Sequence, residues 1–118
     1  AVVESDEGAG IGLIAFGTSH WAVTESRDQL REEAWLPTAY LRLRAYPFGP
    51  EVEAFVGRCE RVYVVEQNRD GQMRGLLALD LEPSLAQRLR SVCHFDGLPL
   101  DARSVTAAVL EQERGGTR

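Results

Sequence analysis

The sequence predicts an α/β domain with a mainly parallel sheet, helices on both of its faces and one antiparallel edge strand. Three observations carry that prediction. Short strand-like apolar runs alternate with segments of helical period, which is the pattern of βαβ units. The run Arg61–Glu66 (RVYVVE) is continuously apolar between its ends, as a parallel strand covered on both faces requires. The chain has 118 residues, 44% of them hydrophobic, enough for one shared core and too few for two comfortable domains.

Residues 2–4 are a short apolar opening and residues 5–10 are rich in turn formers, after which residues 12–17 (GLIAFG) read as a buried strand. Two strands joined by such a turn suggest the antiparallel edge. From residue 19 the period changes: Val23, Ser26, Leu30 and Ala34 fall at helical spacing, with Thr18 or Ser19 as N-cap and Pro37 closing the helix. Residues 39–45 alternate Tyr40, Arg42 and Arg44 with Leu41, Leu43 and Ala45, so this strand is expected to have one side less completely buried. Residues 47–50 (PFGP) are a loop, and Pro50 suits the first turn of a helix with an apolar stripe of Val52, Phe55, Val56 and Cys59. Beyond the polar residues 67–72 a third helix sets Met73, Leu76, Leu77 and Leu81 on one face and stops at Pro83. Leu85, Leu89 and Val92 continue at helical spacing, and residues 91–95 can form one more short strand. After the turn at 96–99 (DGLP), Asp101 caps a last helix bearing Val105, Ala108 and Val109. The expected domain is residues 1–114, with 115–118 as a frayed tail. Because the chain opens on Ala rather than Met, it is expected to be a fragment or a processed chain.

Composition removes several function classes. A net charge of −5 argues against a domain built to hold a phosphodiester backbone, so no nucleic-acid partner is expected. The longest apolar runs fall far below a bilayer span and there is no charged-then-apolar leader, so no membrane is expected and the location is expected to be cytoplasmic. All 13 cations are Arg, which excludes Schiff-base chemistry and a P-loop lysine; GC-rich codon usage accounts for the bias. The two cysteines, Cys59 and Cys93, form no C-x-x-C, so this chain alone assembles no zinc or iron–sulfur ligand set, and both read as buried small hydrophobes.

In an open parallel sheet ligands bind beyond the carboxyl ends of the strands, and those ends are polar here. The first offers Gly17, Thr18, Ser19 and His20, the third the run Glu66 to Gln72, and the last His94 to Gly97. Free N–H groups after Gly17 could take an anion, although capping is what Thr18 or Ser19 usually does at such a place. Residues 10–15 fit G-x-G-x-x-A but open a strand instead of following one, so the dinucleotide reading fails. Ser19, His20 and Asp96 lack the nucleophile elbow of a hydrolase. His94 suits a structural role, with a pairing to Asp96 conceivable. Residues 66–72 are either a solvated loop hinged at Gly71 or a polar interdomain contact, with Arg69 as a fork for a carboxylate and Asn68 as a loop-former or amide partner. The candidate contacts are therefore Thr18, Ser19, His20, Glu66, Asn68, Arg69, Gln72 and Asp96. Trp21, Trp35 and Phe48 are candidates for an apolar patch through which an isolated domain would self-associate.

Four segments, residues 12–21 (GLIAFGTSHW), 40–48 (YLRLRAYPF), 62–72 (VYVVEQNRDGQ) and 94–103 (HFDGLPLDAR), carry a family resemblance. The chain resembles the C-terminal region of the α subunit of bacterial 2-oxoacid:ferredoxin oxidoreductases of the 2-oxoglutarate type, and EQNRDGQ is the most specific stretch. The resemblance implies a three-layer α/β/α unit like the transketolase C-terminal domain, with a five-stranded mixed sheet. It also implies a parent enzyme that decarboxylates a 2-oxoacid on thiamine diphosphate with Mg, passes electrons through a [4Fe-4S] cluster to ferredoxin and transfers the acyl group to coenzyme A. The ligands for those groups belong, by the same resemblance, to other domains or to the β subunit. No catalytic residue is carried over, no cofactor is expected to be bound by this domain, and its expected role is packing against the rest of the α subunit and the β subunit. The rival reading is a free-standing small-molecule or anion-binding domain.

Overall fold

The structure, a computed structural model, describes residues 2–16, 19–43, 49–67, 70–94 and 100–115. Five strands form a single sheet: β1 (Val2–Ser5), β2 (Ile11–Phe16), β3 (Thr38–Leu43), β4 (Arg61–Glu66) and β5 (Leu89–Cys93). Their spatial order is β1-β3-β2-β4-β5, with every neighbouring pair parallel except β1 with β3. Among the described residues five helices cover it: α1 (His20–Ala34), α2 (Pro50–Gly57), α3 (Gln72–Asp80), the short α4 (Pro83–Ala86) and α5 (Ala102–Gly115). This is the three-layer α/β/α arrangement with an antiparallel edge that the sequence predicts.

Strand alternation divides the core in two. Ile14, Leu41, Val62 and Val64 meet Phe55 and Val56 of α2 and Leu77 of α3 on one face. Leu13, Tyr40, Tyr63 and Val65 meet Val23 and Leu30 of α1 and Val105 and Val109 of α5 on the other. Gly12 lets α2 approach β2: a Cβ there would stand 2.8 Å from the Cys59 sulfur and 2.9 Å from the Phe55 ring.

Several sequence expectations are corrected. The antiparallel edge strand β1 pairs with β3, beyond β2 to which its turn joins it. The physical cause is Arg27, a buried guanidinium on the inner face of α1. It donates to Thr38 Oγ1 and Thr38 O, both at 2.9 Å, to Glu4 Oε1 at 2.9 Å and to Asp6 Oδ1 at 3.3 Å, tying β1 and the start of β3 to α1. Asp6 Oδ2 accepts the Thr38 N–H at 3.1 Å, completing the latch. Leu89 and Val92, expected to prolong a helix, are buried in β5, because α4 is cut to a single turn and the chain then pairs with β4. Residue 95 of the expected strand lies outside the described residues. On β3 the side expected to be less completely buried carries the strand's one partly exposed described residue, Arg42, although Tyr40 on that side is 1% exposed. Leu76 lies at the solvent edge of α3. Cys93 is only partly buried, unlike Cys59. Helix α5 extends to Gly115, one residue past the expected boundary, and 116–118 lie outside the described residues.

Candidate functional site

Because β2, β3, β4 and β5 are parallel, their carboxyl ends share one edge of the sheet, and the chain goes on from that edge to α1, α2, α3 and α5. Two polar clusters are described there, on opposite faces.

The first is built on Glu66, the last residue of β4. Val62 and Val64 point to the α2/α3 face, so Glu66 points there too. It is 3% exposed, and its two carboxylate oxygens accept the N–H groups of Met73 at 2.8 Å and Arg74 at 3.0 Å. The strand-end acid thus supplies the acceptors that the first turn of α3 lacks, and the helix dipole favours its negative charge. Gly71 precedes α3 at φ +63°, a left-handed conformation that glycine adopts without a steric penalty. Arg74 Nε donates to Ser91 Oγ at 2.5 Å, and the Glu66 carbonyl accepts the His94 N–H at 2.9 Å. Burial, followed by the charge of Glu66, pushes the Cys93 thiol up, which holds it protonated and poorly nucleophilic.

The second cluster lies on the α1/α5 face. Tyr40 Oη and His20 Nδ1 are 3.0 Å apart, and the two rings stack with centroids 5.7 Å apart. Burial raises the Tyr40 phenol to about 12, so the hydroxyl keeps its proton and can donate to the imidazole. The Arg27 guanidinium lies 5.8 Å from the centre of the Tyr40 ring.

Of the residues expected at the site, Glu66 and Gln72 come together at the start of α3, while His20 lies across the sheet from them. Ser19 is buried at the N-cap of α1, but its side chain makes no capping bond, so the expected cap at that residue is absent. Thr18, Asn68, Arg69 and Asp96 lie outside the described residues, as does Phe48. Asp101 caps α5 as expected, its carboxylate accepting the Ser104 N–H at 2.7 Å.

Sequence reasoning missed three polar joints. Arg27 carried a readable signal, since it is a charge on the apolar stripe between Val23 and Leu30. Arg61 forms a bidentate pair with Glu113, at 2.7 and 2.9 Å, and Tyr63 donates to the same carboxylate. Ser26 and Thr106 hydroxyls lie 2.7 Å apart between α1 and α5. The latter two join residues 50 or more apart in sequence, and no local pattern marks them.

Among the described residues no group of three or more His, Cys, Asp and Glu could hold a metal ion, and no helix is long and apolar enough to cross a membrane. The fold and this edge define a class: a helix-covered, mixed-sheet α/β/α domain whose described strand-end polar groups serve helix starts and loop anchoring. No protein-family model matches the chain. It is 32% identical, over 113 residues and 92% of its length, to the α subunit of 2-oxoacid:ferredoxin oxidoreductase 2 from Aeropyrum pernix. It spans only 17% of the length of that curated relative. By fold it matches 2-oxoglutarate:ferredoxin oxidoreductase from Magnetococcus marinus, solved with 2-oxoglutarate, coenzyme A and succinyl-CoA bound. The TM-score is 0.80 at 24% identity, covering 94% of this chain and 19% of that one. The resemblance read from the sequence therefore stands: over nearly its whole length the chain is related to a segment of a 2-oxoacid:ferredoxin oxidoreductase α subunit.

Proposed function

We propose that this chain is a structural and interaction domain from the C-terminal region of the α subunit of a thiamine-diphosphate-dependent 2-oxoacid:ferredoxin oxidoreductase, of the 2-oxoglutarate type. The parent reaction is oxidative decarboxylation of a 2-oxoacid to its acyl-CoA with reduction of ferredoxin. The observation that carries the reading is the match of 92% of this chain to one sixth of an α subunit. The geometry supports it, because the Glu66 carboxylate is committed to α3. In this reading the domain binds no cofactor itself. Thiamine diphosphate, Mg and the [4Fe-4S] cluster are held elsewhere in a cytoplasmic complex, coenzyme A is a reactant there, and the strand-end loops at 17–20 and 66–72 pack against the remaining α-subunit domains and the β subunit.

A test is to delete the corresponding segment from the α subunit and supply it as a separate chain with the β subunit. Loss of assembly on deletion, with ferredoxin reduction restored by the added chain, is the expected result. Normal assembly without the segment would overturn it. The second reading, a free-standing anion-binding domain using the start of α1 and Arg69, is favoured by one observation, the absence of a side-chain cap from Ser19. Calorimetric titration of the chain with thiamine diphosphate plus Mg²⁺, coenzyme A and 2-oxoglutarate separates the two. Absence of heat up to millimolar concentration supports the interaction domain, whereas saturable binding lost on Arg69→Ala would put the second reading first.

A further inference from the structure

Three of the four longer helices start on an acid. Glu66 caps α3, Asp101 caps α5, and α2 carries Glu51 and Glu53 in its first turn. Among the described residues α1 has no acid in its first turn and no side-chain cap, so nothing there offsets the positive end of its dipole at the carboxyl edge of the sheet.

The side chains gathered under that end are donors. Two hydrogen bonds pin α1 over β3: His20 Nδ1 meets Tyr40 Oη at 3.0 Å, and Arg27 Nε donates to Thr38 Oγ1 at 2.9 Å. Thr24 lies between them on the same stripe, four residues after His20 and three before Arg27, so it faces β3 as they do. Its hydroxyl oxygen is buried and has no hydrogen-bond partner among the described residues. Arg42 follows Tyr40 by two positions on β3, hence on the same face and nearer the carboxyl edge. Its Nε is likewise buried with no acceptor among the described residues. After burial, the Arg42 charge is the largest influence on the Tyr40 phenol, ahead of Glu4 and Arg27, which sets the guanidinium close to that hydroxyl. Glu4, the acid opposite Tyr40 on β1, is engaged by Arg27 at 2.9 Å. With the Tyr40 hydroxyl donating to Nδ1, a neutral His20 carries its proton on Nε2 and offers a further donor there.

We infer that His20, Thr24 and Arg42 form an oxyanion site at the start of α1, and that its ligand is a carboxylate or phosphate group. Arg42 brings a full charge on a planar fork, Thr24 an O–H and His20 an N–H, and the helix start adds its partial charge. Buried donors are normally bonded, and one oxyanion would bond both of the buried atoms that lack partners here. The group arrives either on a free small molecule or as an Asp or Glu side chain of an adjoining domain. The inference uses neither Arg69 nor the parent enzyme proposed above.

Trp21 can report on the site, since its ring stands 5.2 Å from that of His20 at 61°. The test is titration of the Trp35→Phe chain with sodium phosphate and with sodium acetate at constant ionic strength, read by Trp21 emission and by the proton resonances of His20. A saturable change in both signals is expected. Arg42→Gln should raise the half-saturation concentration about tenfold, and Thr24→Val, which keeps the side-chain shape, about threefold. Arg31→Gln, which removes an exposed cation from the same helix, should leave it unchanged. Strength separates the two sources: half-saturation below about 1 mM marks a free oxyanion, and any weaker value marks a side-chain carboxylate whose effective concentration an adjoining domain supplies. Absence of saturation up to about 100 mM would overturn the inference, because so weak a site contributes almost nothing to binding. So would saturation that neither Arg42→Gln nor Thr24→Val alters while both variants keep the native circular dichroism.

Discussion

Glu66 shows how one side chain can serve two neighbouring elements at the strand ends. Its carboxylate caps α3 and its carbonyl anchors the chain leaving β5. Glu66→Ala would strand two N–H groups beside a small void and should cost about 1–3 kcal/mol, read as a lower urea midpoint at unchanged slope. Glu66→Gln, which keeps one acceptor, should recover part of that. Tyr40 makes a pH prediction. Its phenol is raised to about 12 in the fold, whereas an unfolded tyrosine titrates near the ordinary value of about 10. Below about pH 10 both states are protonated and the contribution is fully present. Above it the unfolded chain loses its proton first, so stability should fall as pH rises from about 10 to 12. Denaturant midpoints across that range should show the fall, and Tyr40→Phe should make it shallower. Burial of the Tyr63 phenol acts in the same direction.

Two contacts decide how elements sit on the sheet. Arg27 is 6% exposed and joins α1 to β1 and β3, so removing it takes both guanidinium bonds from Thr38 and leaves Asp6 with the more exposed Arg31 at 3.3 Å. Arg27→Met should cost about 3–5 kcal/mol, the scale of breaking a buried ion pair. Amide exchange should accelerate first at Val2–Ser5, the edge that depends on it. Gly12 lies under α2 with Phe55 and Cys59 already closer than a Cβ tolerates. Gly12→Ala should therefore destabilise by about 1–3 kcal/mol despite the lower entropy of an alanine chain, and calorimetry should show a lower melting temperature. Of these elements, α1, α2, β4 and the Asp101-capped α5 were legible because each is marked within its own segment by period, cap or apolar run. The pairing of β1 was not, since turn residues report that a chain reverses without reporting which strand it meets. Nor was β5, whose Leu89 and Val92 satisfy helical and strand spacing equally well until β4 offers its edge. At the candidate site, Glu66 and Gln72 were legible as polar residues after a buried strand. The capping role of Glu66 was not, because it depends on where α3 begins in space.

At the scale of the molecule, a single sheet separates two apolar clusters and belongs to both. Neither cluster can lose its order without exposing the strands that complete the other, so unfolding should be one cooperative transition. Val56→Ala on one face and Val109→Ala on the other should each cost about 1.5–3 kcal/mol, and the double variant should cost their sum within about 0.5 kcal/mol. Matching transitions by far-ultraviolet circular dichroism and by near-ultraviolet circular dichroism of the buried tyrosines would check cooperativity, and distinct midpoints would show it to fail.

The sequence by itself determined the fold class, the antiparallel edge, the positions of most helices and the relation to 2-oxoacid:ferredoxin oxidoreductase α subunits. All of these are written in local period, turn chemistry and short contiguous motifs. Tertiary structure alone decided that β1 crosses to β3, that Glu66 caps α3, and that His20 and Glu66 lie on opposite faces. Each of those outcomes depends on which distant residue arrives at a given place, and folding settles that by burying charge against charge and apolar faces against one sheet.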